Sequence, residues 1–320
     1  MASLLGRVEV EAAWLWREHP PVIRHPKKQT LLTLAGGLAR TPCGTLTVAR
    51  WAPDAARWAI GAPCTVTSVE RPFTYARPEA HVDAWHVNFA DTDLFAFYGG
   101  PAFAQDELQV AEHPVLASVR GFLLAGPHIG LRALTREPER PTPVLVRDVE
   151  RWCAIDTDPE LAQPYGIYGR RLVRASDEAL AQAVTRLDDG VPTHLLAMVA
   201  PQGTGRYTRD AIGDVLETAV TAFTAARASS PSADRVRIHT GHWGTGAFGG
   251  DRVLMAAAQI LAGRAAGIDE LAYHSLDDSG VAALRRGEAV AGAVPAGSSL
   301  EAAVDALHRR GFTWGTSDGN

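Results

Sequence analysis

Lysine is almost missing from this chain. Lys27 and Lys28 are the only two, and every other positive side chain is an arginine. An anion site is therefore expected to be built from guanidinium forks or backbone N–H groups. Cysteine is scarce too. Cys43, Cys64 and Cys153 are odd in number and far apart, with no Cys-x-x-Cys and no Cys/His cluster. That excludes a disulfide framework and gives no zinc signature, so no metal is expected. No run of 18 uncharged apolar residues occurs, so no membrane span is expected. Positive charge is not in excess: the net charge is −5. No global field would gather nucleic acid or an acidic membrane. The first residues, MASLLGRVEVEAAWLWREHP, contain acids and no small-residue cleavage site. They do not read as a signal peptide, and the expected location is the cytoplasm.

What is present is enough for a large core: 320 residues, 46% of them hydrophobic. Residues 1–40 mix a helical pattern, Val8, Ala12 and Trp16, with a proline-broken basic stretch, PPVIRHPKK. They are expected to form an N-terminal extension packed on a body spanning 41–320. GTLTVARW, CTVTSV and HVDAWHVNF read as strands. A helix is expected from about Ala104, with Pro114 opening another. TPVLVRDV reads as a strand. SDEALAQAVTRL reads as an amphipathic helix capped by Ser176. THLLAMVAP reads as a buried strand and RDAIGDVLETAVTAFTAAR as a helix. RVRIHT, DRVLMAAAQILAGRAAG and ELAYHSL then read as strand, helix and strand. Alternating strands and helices in the C-terminal half predict an α/β sandwich.

Between RVRIHT and the helix lies a glycine loop. Gly241 to Gly250 holds five glycines and two large aromatics, Trp243 and Phe248. Glycine lets the backbone approach a ligand closely, and a helix N-terminus adds N–H donors and a positive dipole end. Asp251 is the expected N-cap. A phosphate or pyrophosphate is the natural ligand. Gly244, Gly246 and Gly249 also spell a Gly-x-Gly-x-x-Gly, with acids at Asp269 and Glu270 about 20 residues on. Two things count against the dinucleotide-binding reading, which stays behind the other readings. The unit lies far down the chain, and it carries bulky aromatics where that turn needs small residues.

The stretch Thr240-Gly241-His242-Trp243-Gly244-Thr245-Gly246-Ala247-Phe248-Gly249-Gly250-Asp251 resembles a signature of the poly(ADP-ribose) glycohydrolase family, T-G-N-W-G-C-G-A-F-G-G-D. His242 replaces an Asn and Thr245 a Cys. A second stretch is similar to the family's D-F-A-N strand end and catalytic Q-E-E. Here Asn88-Phe89-Ala90-Asp91 is followed by thirteen residues and then Gln105-Asp106-Glu107. Weaker similarity extends the resemblance over about residues 40 to 280. One departure is marked: the family's Gly-Gly-Gly falls on Phe95, Ala96 and Phe97.

The resemblance implies an α/β fold, a three-layer α/β/α macrodomain with a mixed central sheet. It implies a glycohydrolase that cleaves a ribosyl O-glycosidic bond of poly(ADP-ribose), or of an ADP-ribosylated substrate, and releases ADP-ribose. Carried over residue by residue, Glu107 is the acid and then the base, and Asp106 orients the distal ribose. Asn88, Phe89, Asp91 and Gln105 would line the substrate site. So would His242, Trp243, Gly244, Thr245, Gly246, Ala247, Phe248 and Gly249, with Tyr165 as the adenine platform. His242 is the reserve candidate for the acid. The implied partner is an ADP-ribose-containing substrate, without cofactor, metal, nucleic acid or membrane, and the chain is expected to be a monomer. Two alternatives remain open: a reader that binds ADP-ribose without cleaving it, and a hydrolase of a small NAD-derived metabolite.

Overall fold

The computed structural model describes residues 2–54, 58–77, 79–126 and 128–317. In chain order the elements are β1 (Ala2–Glu11), α1 (Ala12–Glu18), α2 (Pro26–Leu34), β2 (Thr45–Pro53), β3 (Thr65–Val69) and β4 (Val82–Ala90). There follow α3 (Gln105–Glu112), α4 (Val115–Ala125), β5 (Arg136–Glu137), β6 (Arg140–Pro141), β7 (Val144–Ile155), α5 (Asp177–Ala183) and β8 (Val184–Val199). The chain closes with α6 (Arg209–Ala228), β9 (Arg235–Gly241), α7 (Arg252–Ala266), β10 (Glu270–His274), α8 (Asp278–Gly292) and α9 (Leu300–His308).

Eight strands form one mixed sheet in the order β1-β2-β7-β8-β4-β9-β10-β3. The first four pair antiparallel. From β8 onward every neighbour is parallel. Both faces are covered, because the buried strands carry apolar side chains on both sides. In β8, Leu196 and Met198 face a core shared with α6, α7 and α9, while Leu195 and Ala197 face one shared with α1, α3 and α4. The result is the expected three-layer α/β/α sandwich.

The first 40 residues do more than pack on the body. Val8-Glu9-Val10-Glu11 alternates with a period of two, and β1 pairs with β2 from Ala2↔Pro53 to Glu11↔Thr45 as the sheet's edge strand. Helix starts at Ala12, so Val8 belongs to the strand rather than to a helix with Ala12 and Trp16.

Capping side chains start most of the later helices. Ser176, Thr208, Asp251, Asp277 and Ser299 each accept a backbone N–H of the first turn. The helix begun by Ser176 stops at Ala183. Val184 and Thr185 instead pair with Ile155 and Ala154, the tertiary ladder overriding an amphipathic pattern. Helices α8 and α9 extend the fold beyond the last strand read from sequence.

Candidate functional site

The cavity lies where β4 and β9 part. Their pairing ends at His86↔His239, yet β4 runs on to Ala90. The exposed ladder is completed by a side chain. Gln105 Oε1 accepts from Phe89 N (2.8 Å), and Gln105 Nε2 donates to Val87 O (3.0 Å). Gln105 thereby fixes the start of α3 against the sheet. Into this gap opens a cavity of about 750 Å³, within the usual span of small-molecule sites of roughly 300–1,000 Å³. It sits at the C-terminal ends of parallel strands, where open α/β sheets place ligands.

One wall is the loop from Gly241 to Phe248. Gly244 and Gly249 take left-handed backbone, φ +71° and +65°. A Cβ on Gly244 would collide with the Ala200 side chain, so no larger residue fits there. Turn bonds consume several of the loop's donors: Thr245 N to His242 O, Gly249 N to Gly246 O and Gly250 N to Gly244 O. Asp251 takes the N–H groups of Val253 and Leu254, both at 2.9 Å, so the helix start is already capped. The N–H groups of Gly246, Ala247 and Phe248 have no acceptor among the described residues. Three successive free donors on a cavity wall form an anion cradle. The donors thus come from the loop itself rather than from the first turn of α7.

The aromatic residues of the loop divide in role. Trp243 is fully buried in the core of the α6/α7 side, and its indole donates to Met198 O (3.1 Å). It anchors the loop from behind. Phe248 is half-buried and lines the cavity. Thr245 turns its hydroxyl onto His242 O. His242 lines the cavity, but both nitrogens are engaged: Nε2 with Ser275 O (3.1 Å) and Nδ1 with the Tyr273 hydroxyl (3.4 Å). Burial lowers its pKa, so it is a neutral strut between β9 and β10.

The start of α3 contributes another part of the lining and carries two carboxyls. Asp106 and Glu107 occupy the first turn of α3 and are 6% and 5% exposed. Asp106 lines the cavity and accepts from Asn88 Nδ2 (3.0 Å). Burial, then the neighbouring Glu107, raises its pKa to about 7, against the opposing pull of Asn88 and Lys28. Glu107 is turned the other way. Its Oε2 accepts from Ala104 N (2.8 Å), closing the N-terminus of α3, and it is not among the lining residues. Asn88 is fully buried behind Asp106, and its own Oδ1 has no partner among the described residues. Phe89 lines the cavity. Asp91 does not: it turns onto Asp93 N (3.0 Å) and closes its own turn.

Among the described residues Tyr165 is 71% exposed and lies off the wall, whereas Tyr168, three residues on, lines it. Gly249 is not among the lining residues; its left-handed backbone turns the loop toward α7. Sequence reasoning did not find Phe73, Tyr75, Arg252, His274, Leu276 and Thr316, which also line the cavity. Phe73 and Tyr75 come from the segment after β3, which crosses over His86, His239 and His274 on three adjacent strands. The signal that could have pointed to this region was the histidines His86, His239 and His274, one on each of these strands.

Residues 178–283 match the family described as poly(ADP-ribose) glycohydrolase (PARG), macro domain fold. Over those residues the chain is similar to that family. The matched stretch contains the glycine loop but not Asn88, Asp106 or Glu107. No curated protein sequence is significantly similar to this chain. Among solved structures, poly(ADP-ribose) glycohydrolase from Thermomonospora curvata is similar at 17% identity over 88% of this chain and 85% of that one, with a TM-score of 0.43. The same enzyme bound to the inhibitor ADP-HPD is similar at 16% identity over 86% and 87%, with a TM-score of 0.46. The glycohydrolase from Deinococcus radiodurans in complex with ADP-ribose is similar at 15% identity over 89% and 94%, with a TM-score of 0.47. These likenesses are too remote to bear on individual residues.

The loop that precedes the carboxyls departs from the glycohydrolase pattern and is braced from all sides. Phe95 is buried and takes φ +56°, the left-handed backbone a glycine would adopt without strain. Arg120 forks onto Asp93 (2.6 and 2.9 Å). Thr135 Oγ1 donates to Asp91 O. Arg24 N and His25 N both donate to Gly99 O. Lys28 is 3% exposed and donates to Phe97 O (3.2 Å) and Tyr98 O (2.8 Å).

Proposed function

We propose that this chain is a glycohydrolase that cleaves the ribosyl O-glycosidic bond of poly(ADP-ribose), or of an ADP-ribosylated substrate, and releases ADP-ribose. The observation that carries the reading is the pairing of Asp106 with the free N–H groups of Gly246, Ala247 and Phe248 across one cavity. The three donors suit a diphosphate, and Phe248 and Phe89 offer apolar faces for the ribose. Tyr168 on the wall supplies a platform for the base.

Hydrolysis needs a proton on the leaving oxygen and a water at the anomeric carbon. A carboxyl raised to about 7 is protonated in about half of the molecules at neutral pH, and that form can give its proton to the leaving oxygen. The resulting carboxylate then takes a proton from the attacking water, whose oxygen forms the new bond to the anomeric carbon. A diphosphate bound in the same cavity would favour the protonated form further. Asp106 and Glu107 are the two carboxyls proposed for this work. The family pattern gives the proton to Glu107. The position of Asp106 on the wall, with Glu107 folded onto Ala104 N, favours Asp106 as a second reading. The same folded Glu107 supports the alternative of a reader that binds ADP-ribose without turnover.

The chain is proposed to act as a monomer in the cytoplasm, on a substrate that is neither nucleic acid nor membrane. Among the described residues no helix is long and apolar enough to cross a membrane. The decisive experiment offers the protein poly(ADP-ribose), ADP-ribosylated protein and NAD, and identifies products by mass spectrometry. ADP-ribose from either of the first two is expected. Binding of ADP-ribose without release from any substrate would leave the reader; no binding at all would end both readings.

A further inference from the structure

We infer that Lys28 is a positioning residue for the Asp106–Glu107 pair: from outside the sheet's active end, its buried ammonium holds the loop before α3 and supplies the positive charge against which the two carboxyls are set. This inference rests on the glycohydrolase reading for its catalytic meaning, and on geometry for its placement.

The geometry is unusual for a lysine. Lysine is rarely fully buried unless paired, and Lys28 is held by carbonyls. Its Nζ donates to Phe97 O and Tyr98 O and lies 5.7 Å from the centre of the Phe103 ring. Phe97 and Tyr98 stand in the loop that replaces the family's glycines. Phe103 adjoins Ala104, whose N–H holds Glu107 Oε2. One ammonium therefore touches both ends of the segment that delivers the carboxyls. A side chain that merely filled space would not need a charge, which is costly to bury.

Charge supports the placement. Burial lowers the Lys28 pKa to about 8, and Glu107 and Asp106 are the groups that pull it back up. Reciprocally, Lys28 lowers Asp106, while Glu107 and Asp91 raise it. Besides burial, the groups acting on Asp106 are thus Glu107 beside it, Asn88 within β4, Lys28 from α2 and Asp91 just past β4. His25, at the N-cap of α2, has its pKa lowered by burial and by Lys28 and Lys27. It faces Lys28 as a neutral group. In a chain with only two lysines, one is spent here on an N-terminal helix that lies outside residues 178–283.

The test compares wild type with Lys28→Met, which keeps the stem volume and removes the charge and donors, and Lys28→Arg, which keeps the charge. Melting curves first establish folding. Two quantities are then followed against pH: the rate of ADP-ribose release, and the Asp106 carboxyl by 13C NMR, which needs no turnover. Lys28→Met is expected to move the Asp106 titration, and the alkaline limb of the rate profile, up by about one pH unit, as loss of a nearby opposite charge requires. Lys28→Arg is expected to leave both where wild type has them. An unmoved Asp106 titration in folded Lys28→Met overturns the inference. So does Lys28→Arg shifting as far as Lys28→Met, since packing alone would then be responsible. If Lys28→Met does not fold, Lys28→Arg decides: a wild-type titration supports the role of charge, and an upward shift refutes it. If wild type releases no ADP-ribose from any substrate, the glycohydrolase reading fails, while the NMR titration still decides the role of Lys28.

Discussion

Asn88 Nδ2 donates to Asp106 Oδ1 at 3.0 Å, with both side chains buried. The bond crosses from β4 to the first turn of α3. It ties the strand end that opens the cavity to the carboxyl that faces it. It favours the ionised form of Asp106, yet burial and Glu107 outweigh it, so the carboxyl is still raised to about 7. A residue with its pKa near the working pH, on a cavity wall, is a candidate for proton transfer.

A pH dependence follows. If the protonated Asp106 donates to the leaving oxygen, ADP-ribose release should fall as pH rises through about 7. Asp106→Asn should remove that limb as well as lower the rate. A wild-type rate that climbs steadily from pH 6 to 9 would show that Asp106 is not the donor.

Gly246→Val tests the anion cradle. Left-handed backbone in this loop falls on Gly244 and Gly249, while Gly246 lines the cavity. The valine methyls would stand where the diphosphate approaches the N–H groups of Gly246, Ala247 and Phe248. Calorimetry should find ADP-ribose affinity lost while the melting temperature without ligand changes little. Unchanged affinity would show that the loop is structural.

Much of this site was legible because its parts are local. The glycine loop, Asp251 as a cap, and Gln105-Asp106-Glu107 at a helix start are each set by a few adjacent residues, and each lies where its pattern put it. The aromatic walls were not legible. Phe73 and Tyr75 reach the cavity because a segment after an edge strand crosses three strand ends, and no spacing in the sequence encodes that crossing. Lys28 is similar: its ammonium arrives from a helix some seventy residues before the loop it holds, at sequence separations of 69 and 70. The side-chain turn of Glu107 toward Ala104 N is likewise a tertiary outcome.

The histidines under the cavity should make folding sensitive to mild acid. Burial lowers His86 well below its usual value, and takes His113 and His239 to about 3. His242 and His274 are lowered as well. His86 stacks on His239 at 4.4 Å, and neither of its ring nitrogens has a partner among the described residues. A lowered histidine binds its proton in the unfolded chain before the folded one. Its stabilising contribution is therefore complete above about pH 6.5 and is lost as pH falls below that. Asp106, Glu112 and Glu217 are raised and act in the opposite sense, but the five histidines outnumber them. The melting temperature should drop between pH 6.5 and 4.5. A melting temperature that holds or rises over that range would contradict the buried neutral cluster.

The roles of the two carboxyls can be separated by comparing Glu107→Gln with Asp106→Asn. Glutamine keeps the shape of Glu107 and an oxygen that can accept from Ala104 N, so α3 should remain capped. It cannot move a proton. If Glu107 is the acid and base that the family pattern makes it, release of ADP-ribose should fall by the roughly 100-fold to 10,000-fold attributed to a positioned acid–base group, with ADP-ribose affinity little changed. Asp106→Asn should then weaken binding and rate together, because Asp106 would hold ribose hydroxyls. If Asp106 is the proton carrier, the signatures exchange: Asp106→Asn takes the large rate loss, and Glu107→Gln costs little. Single-turnover release and calorimetric affinity, measured on both variants, distinguish the two. Equal, small losses in both would mean that neither carboxyl moves the proton. His242 has both nitrogens engaged by Ser275 and Tyr273, so it could replace them only after its strut between β9 and β10 is broken.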